Sequence, residues 1–164
     1  MTMIRHKLTL AEQQDDTVSE IARNKALQAF AILGEPVAVE DGGFFCDDLD
    51  ELPGPNAKQF GRLPLERFLR LFRDGDTRLC SMRSTVAFAE AGGEIRLFSS
   101  DFRGRITGLI GREHSSQFSE FSRIFIPEGY DKPITEFTDA EMDELRRLKL
   151  RSFDQFAEWY AAQA

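Results

Sequence analysis

Two adjacent carboxylates follow a short apolar run in the first third of the chain. Glu40 and Asp41 come directly after Val37–Val39, and the pair Gly42-Gly43 follows them. Such a run predicts a buried strand that delivers acid groups to the rim of a sheet, where open α/β folds bind ligands. Paired carboxylates suit Mg²⁺, which binds through one or two carboxylates together with substrate phosphates. The pattern therefore indicates metal-assisted phosphate chemistry.

Asp41 is the first candidate for this chemistry. We expect it to hold the metal and to orient or activate a water that attacks phosphorus. Glu40 is the less direct partner, since neighbouring strand residues point to opposite faces. The alternative for Asp41 is an ordinary acid at a strand exit, because Asp-Gly is common in turns.

The elements around these carboxylates follow from the hydrophobic pattern. Apolar residues recur at helical spacing up to Leu33 and predict a helix that begins between Asp15 and Val18. Gly34 and Pro36 end this helix. A strand covers residues 36–40, and a loop rich in Gly, Asp and Pro runs to residue 56. Further predicted strands cover residues 4–10, 78–90, 94–101, 105–110 and 123–126, and further helices cover 64–73 and 138–161. The 164 residues therefore predict one α+β domain without a linker.

Bulk composition excludes several classes of protein. A net charge of −7 argues against broad binding to duplex nucleic acid, which relies on clustered Lys and Arg. No stretch is apolar enough to span a bilayer, and the N-terminus lacks the apolar core of a signal peptide. Cys46 and Cys80 have no metal-ligand spacing and are expected to be reduced thiols. Together these features predict a cytoplasmic protein without a membrane partner.

Several motifs resemble the inosine triphosphate pyrophosphatase family, which clears deaminated purine nucleotides. In that family a strand ending in two acids precedes an apolar segment and then Leu/Ala-Pro-Gly-Pro. The matching segments here are Val39-Glu40-Asp41, Phe44-Phe45, Leu52-Pro53-Gly54-Pro55, Arg103-Gly104-Arg105-Ile106-Thr107-Gly108-Leu109-Ile110 and Ile124-Phe125-Ile126-Pro127-Glu128-Gly129-Tyr130. The resemblance covers most of the chain.

The resemblance implies a fold and an activity. The expected fold is α/β, an elongated mixed β-sheet flanked by helices, with the site in a cleft between two lobes. The expected reaction is Mg²⁺-dependent hydrolysis of a nucleoside triphosphate, such as ITP, dITP or XTP, to the monophosphate and pyrophosphate. Family members are typically homodimers, so a homodimer is expected here too.

The resemblance also implies roles for two residues of the first helix. Glu20 matches a metal-binding glutamate, and Lys25 matches a phosphate-binding lysine five residues further on. Each has an alternative. Thr17 to Glu20 is itself a capping box, which satisfies a helix start without a ligand. Lys25 has the alternative of a solvated lysine.

Two further candidates lie later in the chain. Lys58 takes the place of the family's basic residue after Pro-Gly-Pro and is expected to bind substrate phosphate or base, unless it is a surface lysine. Phe121 falls where the family has an aromatic residue of the base pocket, and stacking on a purine is physically reasonable. With 15 Phe residues in the chain, core packing is the alternative for Phe121.

The chain also departs from the family pattern. It contains no Thr/Ser-x-Asn-x-x-Lys loop, which grips the triphosphate, unless the true start lies upstream. The family's base-recognising Ser-His-Arg is absent, and Ser122 replaces its Asp. Arg147 and Arg151, with their basic neighbours, are either a replacement anion site or a solvated basic face. The departures leave two alternatives open: a catalytically weakened nucleotide-binding or partner protein, and a hydrolase of a smaller phosphorylated metabolite.

Overall fold

The computed structural model describes residues 3–11, 17–92, 94–113, 119–149 and 151–163, without the side chains of residues 147–149. The α-helices of this described part are α1 (Val18–Leu33), α2 (Ala57–Phe60), α3 (Leu65–Leu69), α4 (Asp139–Lys149) and α5 (Arg151–Ala161). Its strands are β1 (Val37–Cys46), β2 (Pro53–Gly54), β3 (Leu79–Ala89), β4 (Ile95–Ile106) and β5 (Phe125–Pro127). Short 3₁₀ turns cover Asp47–Leu49, Glu120–Arg123 and Ile134–Glu136.

The strands form one five-stranded sheet in the order β2-β1-β3-β4-β5. β2 pairs antiparallel with β1, and β5 pairs antiparallel with β4. The prediction of an α/β fold, with one sheet and flanking helices, is confirmed. In the described part of the chain no helix combines the length and the apolar character that crossing a bilayer requires.

Helix α1 forms where the sequence places it because both of its ends carry local signals. The Thr17 hydroxyl accepts a hydrogen bond from the Glu20 backbone N–H at 3.2 Å, as an N-cap does. At the other end Gly34 adopts a left-handed conformation with φ of 69°, and its N–H donates to the Phe30 carbonyl oxygen. Residues 12–16, which include the predicted opening at Asp15, lie outside the described residues.

Strand β1 is longer than the sequence predicts. It does not end at the carboxylates but continues through Gly42 and Gly43 to Cys46, where a loop was expected. The close approach of β2 explains the difference, because a Cβ on Gly43 would lie 2.6 Å from the Gly54 carbonyl oxygen. Glycine is therefore required in the strand at this position, and it does not mark a turn.

Other boundaries also differ from the prediction. The two strands predicted over residues 94–101 and 105–110 are observed as one strand, β4 (Ile95–Ile106), because Gly104 lies inside it against the backbone of Ile126 in β5. Residues 4–10 form no strand, and α2 was not predicted. Helix α3 ends at Leu69, four residues early. The predicted final helix is observed as α4 and α5, on either side of residue 150, which is not described.

The chain divides into two compact units. The first unit comprises Met1–Gly42, Ser84–Ser100 and Leu150–Ala164, and the second comprises Gly43–Arg83 and Asp101–Lys149. In the first unit small residues of α1 pack against β3, and an aromatic cluster joins Phe88 of β3 to Phe156 of α5. In the second unit the core is rich in phenylalanine. The expectation of one 164-residue domain stays a prediction.

Candidate functional site

An ion pair between Lys25 and Asp41 joins α1 to β1 in the first unit. The Lys25 Nζ donates to Asp41 Oδ2 at 3.2 Å, and the two side chains are only 16 and 19% exposed. The other carboxylate oxygen of Asp41, Oδ1, accepts the Gly42 backbone N–H at 3.1 Å. Charge-assisted hydrogen bonds to both oxygens hold the carboxylate in one orientation. The structure thus brings together two of the residues that the sequence singles out.

Small side chains allow α1 to lie close to the sheet at this ion pair. Ala22 and Ala26 of α1 are fully buried against Ala87 and Ala89 of β3, with Val39 packed beside them. Alternate residues of a strand share a face, so Asp41 follows Val39 on the side that meets α1. Lys25 precedes Ala26 on the helix. Its long side chain therefore needs to cross only a short distance to reach Asp41.

Glu40 has a separate set of partners. The Ser84 hydroxyl donates to Glu40 Oε1 at 2.8 Å, and the buried Ser152 hydroxyl lies 3.2 Å from that of Ser84. An ionised carboxylate only accepts hydrogen bonds, so the Ser84 hydroxyl donates a hydrogen bond to Glu40, and the Ser152 hydroxyl must donate one to Ser84. These partners agree with the prediction that Glu40 and Asp41 point to opposite faces.

Glu20 pairs with a neighbouring arginine on α1 and is more exposed than Asp41. Its carboxylate lies 3.4 Å from the Arg23 guanidinium in an i,i+3 pair, and its side chain is 46% exposed. In the described residues no cluster of three His, Cys, Asp or Glu side chains has the spacing of a metal site. A metal role for Glu20 therefore stays a prediction.

The other basic candidates are scattered over the chain. Lys58 is exposed on α2 in the second unit, and Arg151 is exposed at the start of α5 in the first. The side chain of Arg147 lies outside the described residues. Its neighbour Arg146 pairs with Asp143 at 2.9 Å on the exposed face of α4, which favours the solvated basic face for that residue. Substrate binding by Lys58, Arg147 and Arg151 stays a prediction.

Phe121 lies in the core of the second unit. It is completely buried, and its ring stacks on Phe44 with a centroid distance of 4.6 Å and an interplanar angle of 13°. Phe68 packs edge-on against it at 4.9 Å. This burial favours the core alternative for Phe121, and its stacking on a purine stays a prediction.

A forked ion pair between Glu51 and Arg83 in the second unit is not predicted from the sequence. Arg83 donates from both terminal nitrogens to the two carboxylate oxygens of Glu51, each at 2.6 Å. These hydrogen bonds lower the pKa of Glu51 and raise the pKa of Arg83. The partners are 32 residues apart and neither belongs to a motif, so no sequence signal links them.

The chain is similar in sequence to proteins named as nucleoside triphosphate pyrophosphatases. The model of the Ham1 family matches residues 2–159. The dITP/XTP pyrophosphatase of Methanopyrus kandleri is 34% identical over 157 residues, which are 95% of this chain and 81% of the relative. The inosine triphosphate pyrophosphatase of Saccharomyces cerevisiae is 34% identical over 162 residues, which are 96% of this chain and 79% of that protein.

Solved structures show the same fold at lower identity. The Ham1 protein of Staphylococcus aureus superposes with a TM-score of 0.80 at 17% identity, covering 96% of this chain and 82% of its own. A nucleoside-triphosphatase, also described as a dITP/XTP pyrophosphatase, from Mycobacterium abscessus superposes with a TM-score of 0.72 at 20% identity. The match covers 87% of this chain and 77% of that chain. At these identities the likeness concerns the fold alone.

Proposed function

The chain belongs to the Ham1 family, and we propose that it hydrolyses deaminated purine nucleoside triphosphates, such as ITP, dITP or XTP, to the monophosphate and pyrophosphate. The relatives named as dITP/XTP and inosine triphosphate pyrophosphatases support this reaction, because they align with 95 and 96% of the chain. Within the chain the proposal depends on one observation, the mostly buried Lys25–Asp41 ion pair.

Asp41 acts on the attacking water in this proposal. A carboxylate oxygen of Asp41 orients the water and accepts its proton while the water oxygen bonds to the α-phosphorus. The bond from that phosphorus to the bridging oxygen breaks, and pyrophosphate leaves with the bonding electrons. Because hydrogen bonds already fix the Asp41 carboxylate, little reorganisation is required before attack.

Mg²⁺ is the ion that we propose for the reaction, with Asp41 as its first ligand and Glu20 as a second candidate. Mg²⁺ usually keeps several waters and uses one or two carboxylates together with substrate phosphates, so it does not require a three-residue protein cluster. When bound, it supplies charge stabilisation to the phosphate oxygens. Glu20 would have to leave Arg23 to contribute, which its exposure permits.

Lys25 neutralises phosphate charge in this proposal. Its ammonium is a compact charge with three donors, so it can keep its hydrogen bond to Asp41 while it donates to a phosphate oxygen. Lys58 is a second candidate for binding phosphate or base. Arg147 and Arg151 are candidates for a further anion contact, in place of the family's Ser-His-Arg motif.

Pyrophosphate release tests the proposal directly. We expect release with Mg²⁺ to be fastest from inosine, deoxyinosine and xanthosine triphosphates, and slower from adenosine, guanosine and pyrimidine triphosphates. Asp41→Asn should lower the rate by about 100-fold or more, the size expected for loss of a general base. The control is Asp143→Asn on α4, which removes an exposed acid and should leave the rate unchanged.

Two outcomes would contradict the proposal. Release that survives Asp41→Asn would exclude the role of Asp41. A folded protein that releases pyrophosphate from no nucleotide would exclude the enzyme and favour a nucleotide-binding or partner protein.

A homodimer and a cytoplasmic location complete the proposal. The homodimer is implied by the family resemblance, and light scattering on the purified protein tests it. Cell fractionation tests the location.

A further inference from the structure

Arg83 is held on several sides within the second unit. Its two terminal nitrogens donate to the Glu51 carboxylate, and its Nε donates to the Ser81 hydroxyl at 3.2 Å. The guanidinium carbon lies 4.2 Å from the centroid of the Phe45 ring, within the range of a cation–π contact. Asp101 lies 3.9 Å from Nε. The two terminal nitrogens of Arg83, which could otherwise bind a phosphate group, therefore already donate to a carboxylate.

Glu51 has a backbone conformation that requires support. It and the preceding Asp50 have φ angles of 66° and 50°, in the left-handed region that residues other than glycine rarely adopt. Such a conformation persists only where the surroundings fix it. The Glu51 N–H donates to the Cys46 carbonyl oxygen at 3.1 Å, and Arg83 fixes the side chain. Arg83 therefore helps to hold the backbone of this loop.

The loop that contains Glu51 continues along the chain to Lys58. Pro53 pairs with Phe45 in the sheet, and the Phe45 ring lies under Arg83. Arg83 therefore contacts both the strand partner of Pro53 and Glu51, two residues before Pro53 in the loop. The Asn56 N–H donates to the Pro53 carbonyl oxygen at 3.2 Å. The Asn56 carbonyl oxygen then accepts the first hydrogen bonds of α2, the helix that carries Lys58.

We propose that Arg83 and Glu51 are a positioning pair that fixes residues 51–60 and, through them, the placement of Lys58 for the nucleotide. Neither residue touches substrate in this proposal. It rests on the proposed function, because it assigns Lys58 to nucleotide binding. The loss of the pair should therefore weaken binding without changing the chemical step.

The experiment combines two measurements on Arg83→Met and Glu51→Gln. The first is amide hydrogen exchange over residues 53–60, which needs no activity. The second is the separate determination of KM and kcat for ITP with Mg²⁺. The matched control is Arg96→Met, because Arg96 also pairs with an acid, Glu94 at 3.1 Å, and lies over an aromatic ring, Trp159 at 4.9 Å, but in the first unit.

We expect both variants to accelerate exchange over residues 53–60 and to raise KM about fivefold, with kcat nearly unchanged. A change of about fivefold is the size expected from the loss of a partly exposed ion pair with two hydrogen bonds. Arg83→Lys should recover part of the loss, because an ammonium keeps the charge but not the fork. Arg96→Met should change neither measurement.

Each other outcome contradicts a stated part of the proposal. Unchanged exchange in both variants would exclude the positioning role. Faster exchange with unchanged KM would exclude the link to the nucleotide. If the wild-type protein hydrolyses no nucleotide, the proposed function fails, and the exchange data still decide whether the pair holds the loop.

Discussion

Gly43 lies so close to Gly54 that the backbone of β2 occupies the space of a side chain at position 43. A Cβ there would stand 2.6 Å from the Gly54 carbonyl oxygen and 2.7 Å from the Phe45 ring. A clash with backbone oxygen cannot be relieved by rotating a side chain. The pairing of β1 with β2 therefore depends on this glycine.

Gly43→Ala should destabilise the protein by about 1–3 kcal/mol, the usual cost of forcing extra atoms into a packed site. Urea unfolding followed by circular dichroism measures the change. Gly108→Ala is the control, because its Cβ would meet only the Arg78 side chain at an ordinary 3.6 Å. Equal unfolding midpoints for Gly43→Ala and Gly108→Ala would show that β2 can move away.

Phe121→Leu should lower stability and leave nucleotide binding unchanged. The substitution removes a ring that stacks on Phe44 and touches Phe68, at a cost of about 1–2 kcal/mol for a volume change of this size. Because the ring is completely buried, KM for ITP should stay at the wild-type value. A several-fold rise in KM, measured where the variant is fully folded, would support a role for Phe121 in the base pocket.

The Thr138–Glu141 capping box should stabilise α4 in a pH-dependent way. Hydrogen bonds from the Thr138 backbone N–H, and then from Lys132 and the Thr138 hydroxyl, lower the pKa of Glu141 from 4.5 to about 2. A carboxyl with a lowered folded pKa stabilises above its unfolded pKa, and the effect is lost as pH falls through the folded one.

The measurement is the difference in urea midpoint between wild type and Glu141→Gln. It should be constant above about pH 6 and shrink between pH 4.5 and 2. Asp143→Asn, on the same helix, provides the control. A difference that does not depend on pH would mean that the ionised carboxylate is not what stabilises the cap.

Both cysteines should resist thiol reagents in the folded protein. Burial raises the pKa of Cys46 to about 12, with the nearby Asp47 and Asp48 adding to the effect, and burial raises the pKa of Cys80 as well. The thiolate is the reactive form, so neither residue should react with a chromogenic disulfide at pH 8. Both should react at once in guanidinium chloride. Rapid native modification would show local opening of β1 and β3.

Local signals explain what the sequence predicted well. The sequence predicts the bounds of helix α1 closely because the Thr17 cap and Gly34 lie at the ends of the helix itself. The abundance of phenylalanine makes core packing an alternative for Phe121. The separate directions of Glu40 and Asp41 follow from strand geometry alone.

Contacts between distant residues explain what was missed. The extension of β1 beyond Asp41 depends on Gly54, 11 residues after Gly43, and a glycine pair normally indicates a turn. The Glu51–Arg83 pair joins residues from different elements, and periodicity carries no information about such a partner. The Lys25–Asp41 contact is not predicted either: the strand pattern indicates Asp41 and the family resemblance indicates Lys25, but neither signal pairs the two residues.

The composition of the first unit bears on how the chain is made in the cell. Its aromatic cluster joins Phe88 and Phe98 of the middle of the chain to Phe156 and Trp159 near the end. A ribosome releases residues in order, so these rings on the sheet stay uncovered until α5 has emerged. Until α5 has been synthesised, the nascent chain therefore exposes an apolar surface that can associate with other chains.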